Sequence, residues 1–177
     1  MTTDAALQRA IDALGIRDVF ISRSESWLAD DFEPQYSDPE TLDVAWKHRV
    51  TQSQVATLES DSGEQQLLFR VLIEMGMRLN APTERGDESL KLEPSDEEPP
   101  TCACIEACFV AEYEMSEQLD KKAMRAFALK NASYHVWPYW REYLMSQCTR
   151  MNLPKVTVPA VQFARNASQE ASSKEGT

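Results

Sequence analysis

The chain has 177 residues, enough for one domain with a sizeable core and no need of disulfide staples. Its formal net charge of -11 argues against nucleic acid and anionic membrane surfaces as partners and favours cationic or weakly basic ones. With 42% hydrophobic residues most of the chain is expected to fold, and no apolar run approaches the roughly 18 residues of a membrane span.

The start, "MTTDAALQRAIDALG", lacks the basic beginning and long apolar run of a signal peptide, so a cytoplasmic location is expected. There Cys102, Cys104, Cys108 and Cys148 stay reduced and make no disulfide framework. Residues 3–14 read as a short amphipathic helix capped by Thr3 or Asp4, with Leu7, Ala10, Ile11 and Leu14 on one side and Gly15 as its stop. Residues 1–16 are accordingly expected to form a helical appendage to a main domain over 17–163. "RDVFISRSESWLA" predicts a first strand, and the prolines and acids of "DDFEPQYSDPE" a long crossing loop. In "TLDVAWKHRVTQ", Leu42, Val44, Trp46, His48 and Val50 alternate with polar residues, the period of a half-buried second strand.

"LLFRVLIEMGMRL" carries the same period more strongly: Leu67, Phe69, Val71, Ile73, Met75, Met77 and Leu79 face one way, Arg70, Glu74 and Arg78 the other. "CACIEACFVAEYEM" repeats it, setting Ala103, Ile105, Ala107, Phe109, Ala111, Tyr113 and Met115 against Glu106, Glu112 and Glu114. Between these two strands, residues 82–100 hold seven acidic and two basic residues among several prolines and read as a flexible acidic loop. From Ser116 the period turns helical, with a break expected at Asn131 to Ser133 before "YHVWPYWREYLMSQCTRMNLP". Pro138 is tolerable there in the first turn or so of the helix. Trp137, Trp140, Leu144, Cys148 and Met151 form one stripe of this helix, and Tyr139 and Tyr143 lie on another side. "LPKVTVPAVQF" reads as extended, and residues 164–177 have the composition of a disordered tail.

The fold class is α+β: a four-stranded antiparallel sheet followed by a long helix packed on one face. One helix with two apolar stripes has more apolar surface than one sheet can hide, which predicts self-association.

The element order, together with "WPYWREYLMSQCTRMNLPKVTVPAVQF", resembles the bacterial protein-export chaperone SecB and SecB-like chaperones. The residues that carry the likeness are Trp137, Pro138, Tyr139, Trp140, Arg141 and Glu142, then Arg150, Leu153-Pro154, Pro159, Val161 and Phe163. The resemblance implies a homotetramer, a dimer of dimers, with Trp137, Tyr139, Trp140, Tyr143, Leu144 and Cys148 in the oligomer interface. It implies unfolded or precursor polypeptides held in an apolar groove at Trp27, Leu28, Phe32, Tyr36, Val44, Trp46 and Phe163. It also implies an acidic sheet surface, here Asp18 and Glu106, that docks the motor ATPase of the translocase, although a second acidic position of the first strand falls on Ser22. The acidic insert and N-terminal helix are closer to SecB-like chaperones linked to toxin–antitoxin systems, whose client is an antitoxin.

Sharper chemistries find no pattern. C-x-C-x3-C lacks the C-x2-C knuckle of a zinc site, so no metal is expected. His48 and His135 sit in no nucleophile–base arrangement, and no glycine-rich phosphate loop is present, so neither an enzyme nor a cofactor is expected. The expected function is that of an ATP-independent holdase. Dedication to one client such as an antitoxin, or a structural or adaptor oligomer with a single folded partner, is the alternative.

Overall fold

The computed structural model describes residues 5–59, 63, 65–82, 100–154, 156 and 158. Helix α1 (Ala5–Ala13) leads directly into β1 (Leu14–Leu28). Two short 3-10 turns, Pro34–Tyr36 and Pro39–Thr41, precede β2 (Asp43–Glu59), β3 (Gln65–Asn80) and β4 (Thr101–Met115). Helices α2 (Lys121–Lys130) and α3 (Ala132–Arg150) follow. The strands pair antiparallel in the order β1-β4-β3-β2. β2, β3 and β4 form a meander and β1 joins its far side, so residues 29–42 carry the chain from one sheet edge to the other.

The period-2 pattern of β3 and β4 dictates which face is dry. Phe69, Val71, Ile73, Met75, Met77 and Leu79 are buried with Ala103, Ile105, Ala107, Phe109, Ala111 and Tyr113 under the helices. α3 crosses β1, β4 and β3, while α2 lies beside β2. The Asp120 carboxylate caps α2 by accepting from the Ala123 N–H at 2.8 Å, and Asn131 separates the two helices where the sequence places a break. α3 ends in a left-handed Asn152 (φ 53°), with the Leu153 N–H donating to the Cys148 carbonyl before Pro154.

Three sequence expectations change. The N-terminal helix is no appendage: Ala10, Ala13 and Leu14 belong to the main core, α1 packs on α2, and Arg9 pairs with Asp120 at 2.8 Å. Gly15 does not stop the helix but lies within β1, opposite Glu114. Pro138 sits in the second turn of α3, at its seventh residue, rather than in the first. The expected acidic loop 82–100, apart from Pro82 and Pro100, and the tail 164–177 lie outside the described residues.

Candidate functional site

Because directly paired residues share a face, the register places each expected site residue. On the helix-covered face, one row runs Leu28, Ala103, Leu79, Val44 and the next Ser26, Ile105, Met77, Trp46. The helices cover the middle of these rows but leave their ends at Val44 and Trp46 open. These two remain 41% and 39% exposed, although Leu79 and Met77 beside them are dry. The chain leaving α3 returns here, and Leu42, Val44, Trp46, Leu79, Pro154 and Val156 enclose an open cavity of about 300 Å³. That volume suits a few apolar side chains of a polypeptide. Asp38, Glu40 and Asp43, next in sequence to the lining residues Pro39, Leu42 and Val44, are exposed.

Of the residues expected to form the groove, only Val44 and Trp46 line this cavity. Trp27 is paired with Cys104 and lies in the row Cys104, Arg78, Ala45, on the opposite face of the sheet from Trp46. Strand alternation separates the two tryptophans however close they stand in projection. Leu28 shares the face of Val44 but occupies the other edge strand. Phe32 is half-buried against the core, Tyr36 points outward at 82% exposure, and Phe163 lies outside the described residues. In the sequence Leu42, Leu79, Pro154 and Val156 read only as parts of strands or of the extended C-terminal segment. Their signal is the apolar spacing of that segment, whose Val156 and Val158 pack back onto the core.

The other face of the sheet is charged but not simply acidic. Each carboxylate that β3 and β4 place there has a cation. Glu106 meets Lys47 at 2.8 Å and Arg78 at 2.7 Å, and Glu74 lies within 3.3–3.9 Å of Lys47, Arg23 and Arg49. Glu112 meets Arg70 at 2.6 Å and Arg17 at 3.4 Å, and Glu114 is 3.8 Å from Arg17. Burial pushes the Glu106 carboxyl up, but hydrogen bonds from Lys47 and Arg78 more than offset this and leave it below its usual value. Lys47 is raised in turn, first by its bond to Glu106. Glu106, expected in an acidic docking surface, thus has its charge paired with Lys47 and Arg78 within the sheet. Asp18 is exposed and accepts from the Val19 N–H at 2.8 Å.

The residues expected in an oligomer interface also divide. Trp140, Leu144 and Cys148 are 1%, 0% and 3% exposed within a single chain, so they are core and have no surface left for a second copy. Trp140 meets Phe109 edge-on at 6.4 Å, and Tyr143 meets the same ring at 6.5 Å while its hydroxyl lies 3.4 Å from that of Ser26. Trp137 and Tyr143 are half-buried, and Tyr139 is exposed. The cysteine thiols are free, with burial pushing Cys102, Cys104 and Cys148 up. Among the described residues no three His, Cys, Asp or Glu side chains converge as metal ligands would, and no helix is long and apolar enough to cross a membrane.

The molecule is thus an α+β protein whose sheet is roofed by helices and left with an open apolar groove along one edge strand. No protein-family model and no curated protein sequence matches the chain. Among solved structures it is similar to the SecB-like chaperone Rv1957 of Mycobacterium tuberculosis, solved in complex with a ChAD peptide from the antitoxin HigA1. The two match with a TM-score of 0.58 at 16% identity, over 90% of this chain and 98% of the other. The chain has the SecB-like fold.

Proposed function

We propose that the protein is an ATP-independent holdase chaperone that binds apolar segments of unfolded polypeptides in the groove of Leu42, Val44 and Trp46, and that it catalyses no reaction. The observation that carries this reading is Trp46, a large side chain left 39% exposed on the helix-covered face of the sheet beside a cavity of about 300 Å³. The fold adds support, since it is shared with a SecB-like chaperone solved with a peptide bound. The exposed acidic residues next in sequence to its lining favour basic clients, whose encounter they accelerate. The same proposal includes a cytoplasmic homotetramer, with the exposed Tyr139 of α3 among the surfaces available to a second copy. Docking of a translocase motor finds less support, because the carboxylates of β3 and β4 on the outer face are already paired with cations.

The test is light scattering of several unrelated proteins as they unfold and aggregate, with and without the chaperone. Wild type should suppress aggregation of all of them, and Val44→Asp with Trp46→Asp should lose that effect while keeping the circular dichroism of the fold. An absence of suppression by wild type would overturn the reading. A second reading, dedication to one client such as an antitoxin, is favoured by the antitoxin peptide on the structural neighbour. It would show as protection of one client and none of the panel.

A further inference from the structure

A second groove lies further along the same edge strand. Val50 and Val55 of β2 and Phe69 of β3 form its floor, and Met124, Ala128 and Leu129 of α2 its far wall, around an open volume of about 520 Å³. Val55 and Leu129 are 44% and 41% exposed, so no described residue fills the apolar lining. Its rim has the opposite charge to the acids flanking the Trp46 groove in sequence. Lys121 and Arg125 line it, and α2 carries Lys122 and Lys130 as well without one acidic residue, in a chain whose net charge is -11. Among the described residues neither Lys121 nor Arg125 enters an ion pair, whereas the cations of the outer sheet face are all engaged.

The third wall is backbone. Among the described residues β2 pairs only with β3, so along residues 50–55 its outer N–H and C=O groups have no neighbouring strand there. A register shift between Val50 and Gln52 marks a bulge at the mouth of the groove, a feature that re-aims side chains at sheet edges. An unpaired strand edge, an apolar trough on one side of it and the cations Lys121 and Arg125 together match an extended peptide that alternates apolar and acidic residues. Its backbone would pair with β2, its apolar side chains enter the trough, and its carboxylates meet Lys121 and Arg125. A second copy of this chain fits less well, because docking edge to edge would set the bases of α2 against their own copies.

We infer that the groove between α2 and the edge of β2 is a second polypeptide-binding site, selective for extended apolar–acidic segments, in contrast to the acid-flanked groove at Trp46. Fluorescence anisotropy with a labelled twelve-residue peptide alternating valine and glutamate tests it. That peptide should bind, and its valine–lysine counterpart should bind at least tenfold more weakly. N-methylation of alternate backbone nitrogens, which keeps every side chain, should abolish binding by removing the strand pairing. Lys121→Glu with Arg125→Glu should weaken the glutamate peptide at least tenfold, and both positions are exposed, so the fold should survive. Equal binding of the lysine peptide, indifference to N-methylation or an unchanged affinity of the double variant would each overturn the inference. So would a change in oligomeric mass of the double variant without peptide, which would make the occupant a second copy. The double variant should leave aggregation suppression through the Trp46 groove intact, so failure of one site is distinguishable from failure of the other.

Discussion

Replacing Trp140 with Ala should destabilise the protomer itself rather than merely separate copies of it. Trp140 is 1% exposed, stands edge-on to Phe109 at 6.4 Å and packs among Val136, Leu144 and Cys148 on the sheet side of α3. An aromatic side chain of this kind buries about 150–250 Å², which at roughly 25 cal/mol per Å² corresponds to about 4–6 kcal/mol of transfer free energy. Alanine retains a part of that, and loss of the edge-to-face pairing adds about 1 kcal/mol, so the expected cost is about 3–5 kcal/mol. Stability of a domain is only about 5–15 kcal/mol, so the variant should sit near its unfolding threshold. With a urea slope of about 2 kcal/mol per M, the midpoint should fall by about 1.5–2.5 M. Circular dichroism should record this equally at two protein concentrations, because a core loss does not depend on assembly. A midpoint within about 0.3 M of wild type, accompanied by a smaller oligomer, would refute the reasoning and return Trp140 to an interface.

Two further outcomes are expected. Gly76 lies under the Lys47–Glu106 pair, where an added Cβ would come 2.9 Å from Glu106 Cγ and 3.1 Å from Lys47 Cβ. Gly76→Val should therefore cost about 1–3 kcal/mol by thermal unfolding despite valine's better strand propensity, and a stabilised variant would contradict the packing. Burial holds the His135 imidazole below its ordinary value of 6.5, with Nδ1 2.9 Å from the Tyr113 hydroxyl, itself held neutral by burial. A depressed base contributes stability above pH 6.5 that is lost as pH falls through the folded value, because the unfolded chain binds the proton more readily. The melting-temperature advantage of wild type over His135→Gln, which keeps an acceptor for Tyr113, should thus be full at pH 7.5 and shrink toward pH 5; a gap that widens on acidification would reverse the sign.

The parts of the fold that were legible are those with a single strong period. β3 and β4 alternate for 13 and 13 residues respectively in "LLFRVLIEMGMRL" and from Ala103 to Met115, because one face is covered along its whole length and the other carries the ion-paired charges. The break at Asn131 and the Pro154 stop are local signals and fell where expected. What escaped depends on pairing between distant strands. Trp27 and Trp46 look equivalent as aromatics in neighbouring elements, and only the register of β1 on β4 and β2 on β3 shows them on opposite faces. The neutralisation of Glu106 has the same origin, since Lys47 lies 59 residues away and Arg78 28. Of the two apolar stripes of α3, the one with Trp140, Leu144 and Cys148 reaches the sheet, while Tyr139 on the other stays exposed.

β2 is the element these arguments converge on, and its composition explains why. A buried edge would have needed the apolar run of β3, and a solvated one would need charges on both faces. β2 has neither: Val44, Trp46, Val50 and Val55 line its inner side, with Lys47 and Arg49 on the outer side tied to the charges of β3 and β4. Its lysine and arginine are held on the outer face by those ion pairs, while the inner face and the backbone edge stay open among the described residues. Trp46 and Val55 are nine positions apart, which at about 3.3 Å per residue separates the two grooves by roughly 30 Å. A polypeptide lying along β2 would meet acids at Asp38, Glu40 and Asp43 and then bases at Lys121 and Arg125. Occupying both grooves therefore requires an extended segment of about ten residues, basic toward one end and acidic toward the other, and that polarity gives the bound chain a single preferred direction.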